Sequence, residues 1–308
     1  MKFSIENGIR IVEVPAWDFR VILYDGKKKA MGPDRCTGGF FGKYKDEDGA
    51  QYILPAGHVV CDYEATNERV RLRCEQRGIF RGGRLYYTTT LNGKPLSTLI
   101  VRNGSAKIQE SAGATVSCSY AISGIPVLRD GKAVDLATAT LQGWDRSSLR
   151  ATMHIFLAIK SSPADTIYVL GMKTTTGNLL ESGEAARKLK AMGFHDVIKL
   201  DGGGSYYLNA GGITHATAEN RHICTILDFG QAEGNPYAAP TRTLYPGSSL
   251  TSGVYWLQYE LNDRGYPCKL DGSYGPATIK QLLAFQKANG LAADGICGPA
   301  TRAALLKK

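Results

Sequence analysis

The octet DGSYGPAT at 271–278 returns as DGICGPAT at 294–301, identical at six of eight positions. So close a duplication marks a small module built on a doubled unit, and it limits what the C-terminal residues can become. In each copy Gly-Pro places proline in the first turn of a helix, where its missing amide would lack a partner anyway. Helices are expected over about 276–289 and 299–306. Upstream, Val254, Leu257 and Leu261 recur at helical spacing until Gly265, and Ile279, Leu282, Leu283 and Phe285 give the second helix an apolar face. Three short helices around one small core follow. The stretch QAEGNPYAAPTRTLYPGSS before them carries prolines at 236, 240 and 246 and no periodicity, the pattern of a semi-extended linker. The expected division is a domain over 1–230, a linker over 231–247 and a three-helix module over 248–308.

Ahead of the linker, β-rich segments dominate: IRIVEV, RVILY, RLYYTTTL, STLIVR, MHIFLAI, TIYVLGM, VIKL and HICTIL. A helix is expected after Ser182, where Ala185, Leu189 and Met192 share a face and Gly193 supplies the stop. Strand 166–171, this helix and strand 197–200 then form a right-handed crossover. The class is α+β: a mixed-sheet N-terminal domain with a small C-terminal three-helix module.

No stretch approaches the ~18 apolar residues of a membrane span, and the N-terminus lacks the apolar core of a signal peptide. The expectation is synthesis in a cytoplasm without stable membrane insertion. Seven cysteines, scattered without a CxxC pair, suggest neither a zinc site nor a disulfide framework. A net charge of +9 fits an anionic partner, whether nucleic acid, anionic lipid or a wall polymer. No nucleic-acid motif accompanies it, so nucleic acid is not expected as a partner.

Candidate chemistry centres on IKLDGGGSYYL at 198–208. Asp201, Gly202, Gly203, Gly204 and Ser205 directly follow an apolar strand, at the carboxyl end where open sheets commonly bind ligands. Glycines bring bare amides to an anion, and Ser205 adds a hydroxyl. A hairpin turn between VIKL and YYLN would use the same residues. The stretch is neither a nucleotide P-loop nor a GxSxG elbow.

The helical stretch LQYELNDRGYPCKLDGSYGPATIKQLLAFQKANGLAADGICGPATRAAL resembles the peptidoglycan-binding module of the three-helix type, which implies carriage to peptidoglycan rather than chemistry. The segment VIKLDGGGSYYLNAGG resembles the signature of the phosphodiester glycosidase family (N-acetylglucosamine-1-phosphodiester alpha-N-acetylglucosaminidase-like). CTGGFFG at 36–42, AISGIPVLRDGKAV at 121–134 and LRATMHIFLAI at 149–159 fit the same family in order. Thr37 stands where the family has asparagine, and Ala151-Thr152-Met153-His154 replaces its Thr-Ala-Ile-Gly.

The resemblance implies hydrolysis of a sugar 1-phosphodiester. A phosphate leaves as a stable anion, so charge stabilisation matters more than protonating it. Arg150, a bidentate donor, and the glycine amides suit that task. Asp201 is the leading carboxylate, as nucleophile, as base for water or as a group positioning the sugar. Glu64, Glu110, Asp130 and Asp145 are candidates for a second. Gly38 and Gly39 complete the binding set, with Phe40 and Phe41 either stacking a sugar or packing the core. His58 and His154 read as structural. No cofactor is required, although a divalent cation held by Asp201 and other oxygens is an alternative. The combined expectation is an endolysin-like wall hydrolase of a phage or prophage, acting at the bacterial cell wall through a pore or other secretion, with peptidoglycan and an anionic wall polymer as partners. The alternative is a wall-binding or virion structural protein that has lost catalysis.

Overall fold

In the computed structural model, residues 1–308 are described except 46, 64–67, 77–79, 82, 90, 113–117, 151, 175–179, 182, 230–234, 236, 238, 249–250 and 308; at 68, 69, 76, 81, 146, 148, 251 and 252 the backbone alone is described. The chain divides into two compact units, Met1–Gln231 and Ala232–Lys308.

The strand MHIFLAI, Met153–Ile159, is buried along its whole length because both of its faces are covered. Ile155, Leu157 and Ile159 join a core that also holds Val21, Leu23, Val59 and Leu227 of a second sheet. Phe156 and Ala158 point the other way, into a cluster with Ala139 of helix Leu136–Leu141 and Ala185 and Leu189 of helix Glu184–Ala191. Period-two alternation thus builds three layers: an eleven-stranded sheet, a seven-stranded sheet and a helix layer. The unit is α+β, as the mix of strand-like and helical segments implies.

In the seven-stranded sheet Met153–Ile159 lies between Thr166–Lys173 and Asp196–Lys199 and runs antiparallel to both. The expected crossover therefore joins two mutually parallel strands across an intervening one, through Glu184–Ala191. The expected helix start at Ser182 lies outside the described residues. Asp196–Lys199 belongs to this sheet, whereas Tyr207–Ala210 belongs to the eleven-stranded one. The segment between them is therefore not a hairpin; it carries the chain from one sheet to the other.

The second unit has helices Thr251–Asp263, Pro276–Ala288 and Pro299–Leu306 around Val254, Trp256, Leu257, Leu261, Leu282, Phe285 and Leu305. The repeated octets have a repeated structural cause. Gln258, fully buried, donates through Nε2 to Asp271, the Ser273 carbonyl and Thr278, and accepts from the Gly272 amide. Gln286 does the same one repeat later, to Asp294, the Ile296 carbonyl and Thr301, and from the Gly295 amide. Each aspartate also folds its own turn by accepting from the amide two residues on. Asp-Gly and the threonine of Gly-Pro-Ala-Thr therefore close a turn around a buried glutamine.

Part of the stretch read as a linker packs on this unit. Leu244 exchanges backbone bonds with Cys297, Tyr237 stacks on Tyr255, and Asn235 bonds to the Trp256 carbonyl and Glu260. Its apolar and amide side chains find partners that periodicity does not reveal. All seven cysteines are free thiols, Cys268 and Cys297 included.

Candidate functional site

The crossing segment and the Gly-Gly-Phe-Phe stretch meet. The Gly38 amide donates to the Thr225 carbonyl at 2.9 Å and the Gly39 amide to the Thr225 hydroxyl at 2.9 Å, while the Gly38 carbonyl accepts from the Asp201 amide at 3.3 Å. A side chain on Gly38 would press on the Thr225 main chain at 2.8 Å. These two glycines therefore let the chain approach Thr225 closely, and both of their amides are bonded within the protein.

Beyond them opens a cleft of about 490 Å³. Phe40, Phe41 and Trp144 form its aromatic side, with the Phe40 and Trp144 rings 4.9 Å apart. Lys199, Asp201, Gly202 to Gly204, Arg150 and Arg221 line it as well. Val197 and Lys199 share one face of their strand by the pleat, the face toward the helix layer, and Asp201 follows in the bend just beyond the strand end.

Asp201 is buried deeply enough that its carboxyl is pushed above the ordinary carboxylate range. Four smaller influences oppose burial: the neighbouring Ser205 hydroxyl, the Lys199 ammonium, the Gly202 amide, which donates to Oδ1 at 2.8 Å, and Arg221. Lys199 is 1 % exposed and donates from Nζ to the Leu200 carbonyl at 2.9 Å. Burial pushes it down to about 8, against the pull of Asp201. Burial thus disfavours the charged form of both groups, the acid and the amine two residues apart in the chain.

The glycine loop is held from behind. Lys28, fully buried, donates from Nζ to the Gly204 carbonyl at 2.8 Å and to Thr217, whose hydroxyl in turn reaches the Gly204 carbonyl at 3.0 Å. Thr37, also buried, donates to the Ser205 carbonyl at 2.5 Å. Where the resembled family has asparagine, this chain thus has a hydroxyl that anchors the loop. Ser205 is fully buried and is not among the described residues that line the cleft; its hydroxyl supports Asp201. Gly203 and Gly204 begin a single 3-10 turn, whose first amides have no acceptor within the turn.

Arg150 lies in the 3-10 turn Arg146–Arg150 ahead of the buried strand, with its side chain 60 % exposed and Nε 3.1 Å from Glu181. Of the four carboxylates considered as seconds, Asp145 reaches the cleft. Glu110 pairs with Arg129 on the surface, and Asp130 sits beyond the opposite end of strand Ile125–Arg129 from the residue that pairs with Lys199. Glu64 lies outside the described residues. His58 and His154 are fully buried, and neither lines the cleft. Among the described residues, the group of His, Cys, Asp and Glu with ligand-like spacing is Asp130, His195 and Asp196; Asp201 is not part of it.

Sequence reasoning missed Lys199, Trp144, Arg221 and Lys28. Strand alternation carried a signal for the first, since a lysine amid VIKL stands on the face of Val197, two residues before Asp201. Nothing local marks the others, which tertiary folding brings in from loops and a distant strand end.

Residues 251–305 match the family model described as "Putative peptidoglycan binding domain". The chain is 47% identical over 64 residues to the zinc D-Ala-D-Ala carboxypeptidase of Streptomyces albus G, covering 19% of this chain and 24% of that protein. It is 45% identical over 69 residues to the N-acetylmuramoyl-L-alanine amidase CwlM of Mycobacterium tuberculosis, covering 21% of this chain and 17% of that one. The chain thus spans about a quarter or less of the length of these relatives. Among solved structures, the catalytic domain of zebrafish N-acetylglucosamine-1-phosphodiester alpha-N-acetylglucosaminidase, auto-inhibited by its pro-peptide, aligns with a TM-score of 0.37 and 12% identity over 69% of this chain and 88% of that one. What this chain carries at its C-terminus is a peptidoglycan-binding module, shared with a carboxypeptidase and an amidase.

Proposed function

We propose that the chain is a wall-directed hydrolase that cleaves a sugar 1-phosphodiester, or another glycosidic linkage of the bacterial envelope, and that its C-terminal module delivers it there. The observation that carries this reading is the cleft itself, whose lining brings together Asp201, aromatic side chains and the cations Lys199, Arg150 and Arg221. Tethering raises the effective concentration of the cleft at the wall. An endolysin-like role at the cell wall, reached through a pore or other secretion, fits this arrangement, and the net charge of +9 suits an anionic polymer.

In this reading the sugar ring lies on Phe40 and Trp144, and the developing phosphate charge is met by the cations. Asp201, with its charged form disfavoured by burial, holds or accepts a proton at Oδ2, a buried oxygen without a hydrogen bond of good geometry. Asp145 at the same cleft is the candidate for the second carboxylate.

Purified walls incubated with wild type and with Asp201→Ala test the proposal. Release of sugar or reducing ends by wild type, lost in the variant, is the expected result. Equal release from both would remove the role of Asp201, and release from neither would favour a wall-binding or virion structural protein. Hydrolysis in isotopically labelled water then assigns the bond: label in the sugar means carbon–oxygen cleavage, and label in the phosphate means a phosphodiesterase.

A further inference from the structure

Among the described residues, the cleft is lined by three cations of very different standing. Arg150 is mostly exposed and engaged with Glu181, and Arg221 is exposed and engaged with Glu219 at 2.5 Å. Wet, already paired cations gain little from one more anion. Lys199 is 1 % exposed at the end of strand Asp196–Lys199, directly after the apolar Val197 and Ile198. Taking an ammonium out of water costs several kcal/mol unless charge and hydrogen bonds replace the lost solvent.

Its surroundings replace that solvent only in part. One of the three ammonium donors goes to the Leu200 carbonyl, and the Phe40 ring lies 4.9 Å from Nζ. Asp201 is near, but its own charge is disfavoured by burial and one of its oxygens accepts from Gly202, so it is an incomplete counter-ion. A dry, under-compensated cation at the wall of an open cleft is where an incoming anion gains most, since attraction grows as the local dielectric falls. The aromatic pair Phe40 and Trp144 stands beside it, with one ring common to both.

We propose that Lys199 is the anion-binding residue of the cleft, taking the phosphate group of a sugar phosphate whose ring packs on Phe40 and Trp144. The inference rests on the wall-hydrolase reading for the sugar ring and is independent of it for the anion. Lys199, not the arginines, then sets the preference for phosphate-bearing over neutral sugars.

Titration calorimetry on the full chain, with inorganic phosphate, a hexose 1-phosphate and the neutral hexose as probes, tests this. Lys199→Met should weaken both phosphates about 10- to 100-fold, the loss of a charge-assisted hydrogen bond, and leave the neutral hexose unchanged. Because Lys199→Met leaves a carboxyl without its cation, Lys199→Met/Asp201→Asn is compared with Asp201→Asn alone. The double variant should bind phosphate at least tenfold more weakly than the single one. Equal affinity in that pair, or no binding of either phosphate to wild type in the millimolar range, overturns the proposal. Phosphate binding that depends on Lys199 in a protein that leaves walls undigested would uphold it while removing the hydrolytic reading. Digestion without phosphate binding would do the reverse.

Discussion

Gly202, Gly203 and Gly204 look interchangeable in sequence, yet replacing each with alanine should give three different results. A Cβ on Gly202 would fall far inside contact distance of the Met153 carbonyl oxygen, a main-chain atom of the central strand that pairs with Lys173. Neither wall can yield, so the overpacking cost should be about 3 kcal/mol. Gly203 has φ +55°, and an alanine there costs about 1–2 kcal/mol for its left-handed backbone. A Cβ on Gly204 would meet the ends of Glu219 and Arg221, whose side chains are 58 % and 41 % exposed and free to swing aside. Losing that surface pair should cost under about 0.5 kcal/mol. In scanning calorimetry the larger-enthalpy transition reports the N-terminal unit, and 1 kcal/mol moves a unit of its size by about 2–4 °C. Gly202→Ala should therefore lower that midpoint by roughly 6–12 °C, Gly203→Ala by about half as much, and Gly204→Ala by about 2 °C or less. If Gly204→Ala proves the most damaging, or if all three are alike, close packing against Met153 is not why glycine stands at 202.

Gln258→Leu and Gln286→Leu should each destabilise the helical unit by about 2 kcal/mol, since each removes the same set of hydrogen bonds, one of them to a buried threonine, and the smaller calorimetric transition reads both. Similar losses are expected from the two; a neutral outcome at either would undo the repeated-network account. Lys199 is held at about 8 in the folded chain against 10.5 unperturbed, so the unfolded chain binds the extra proton between those values. Its burial penalty is full below pH 8 and gone above 10.5, so wild type should gain ~3 kcal/mol relative to Lys199→Met as pH rises across that window. Denaturant titrations at pH 7 and pH 10.5 check this, and a pH-independent difference would mean that Lys199 is not desolvated. Chelation with EDTA should leave wall hydrolysis unchanged, because a lysine and two arginines supply the positive charge at Asp201's cleft; a tenfold fall would instead point to a cation held by Asp201.

Much of this architecture is legible in the chain. Gly-Pro and helical spacing give the three C-terminal helices, because caps and periodicity are local. Uninterrupted apolar runs such as MHIFLAI and TIYVLGM give central strands, because a sheet covered on both faces needs no polar side. Short strands such as Arg35–Thr37 were not legible, being too brief for a pattern and stabilised by their neighbours. Sequence also singled out Asp201 and the glycines after it. Only tertiary structure decided what they do. Whether DGGGS turns a hairpin or crosses between sheets depends on where VIKL and YYLN pair, which is long-range. Gly38 and Gly39 donate their amides to Thr225, 186 residues away from Gly39, a pairing that no local pattern reveals. Lys199 acquires its character from burial beside Phe40 and Asp201, and a side chain's charge becomes chemistry only once the fold has chosen which solvent to remove.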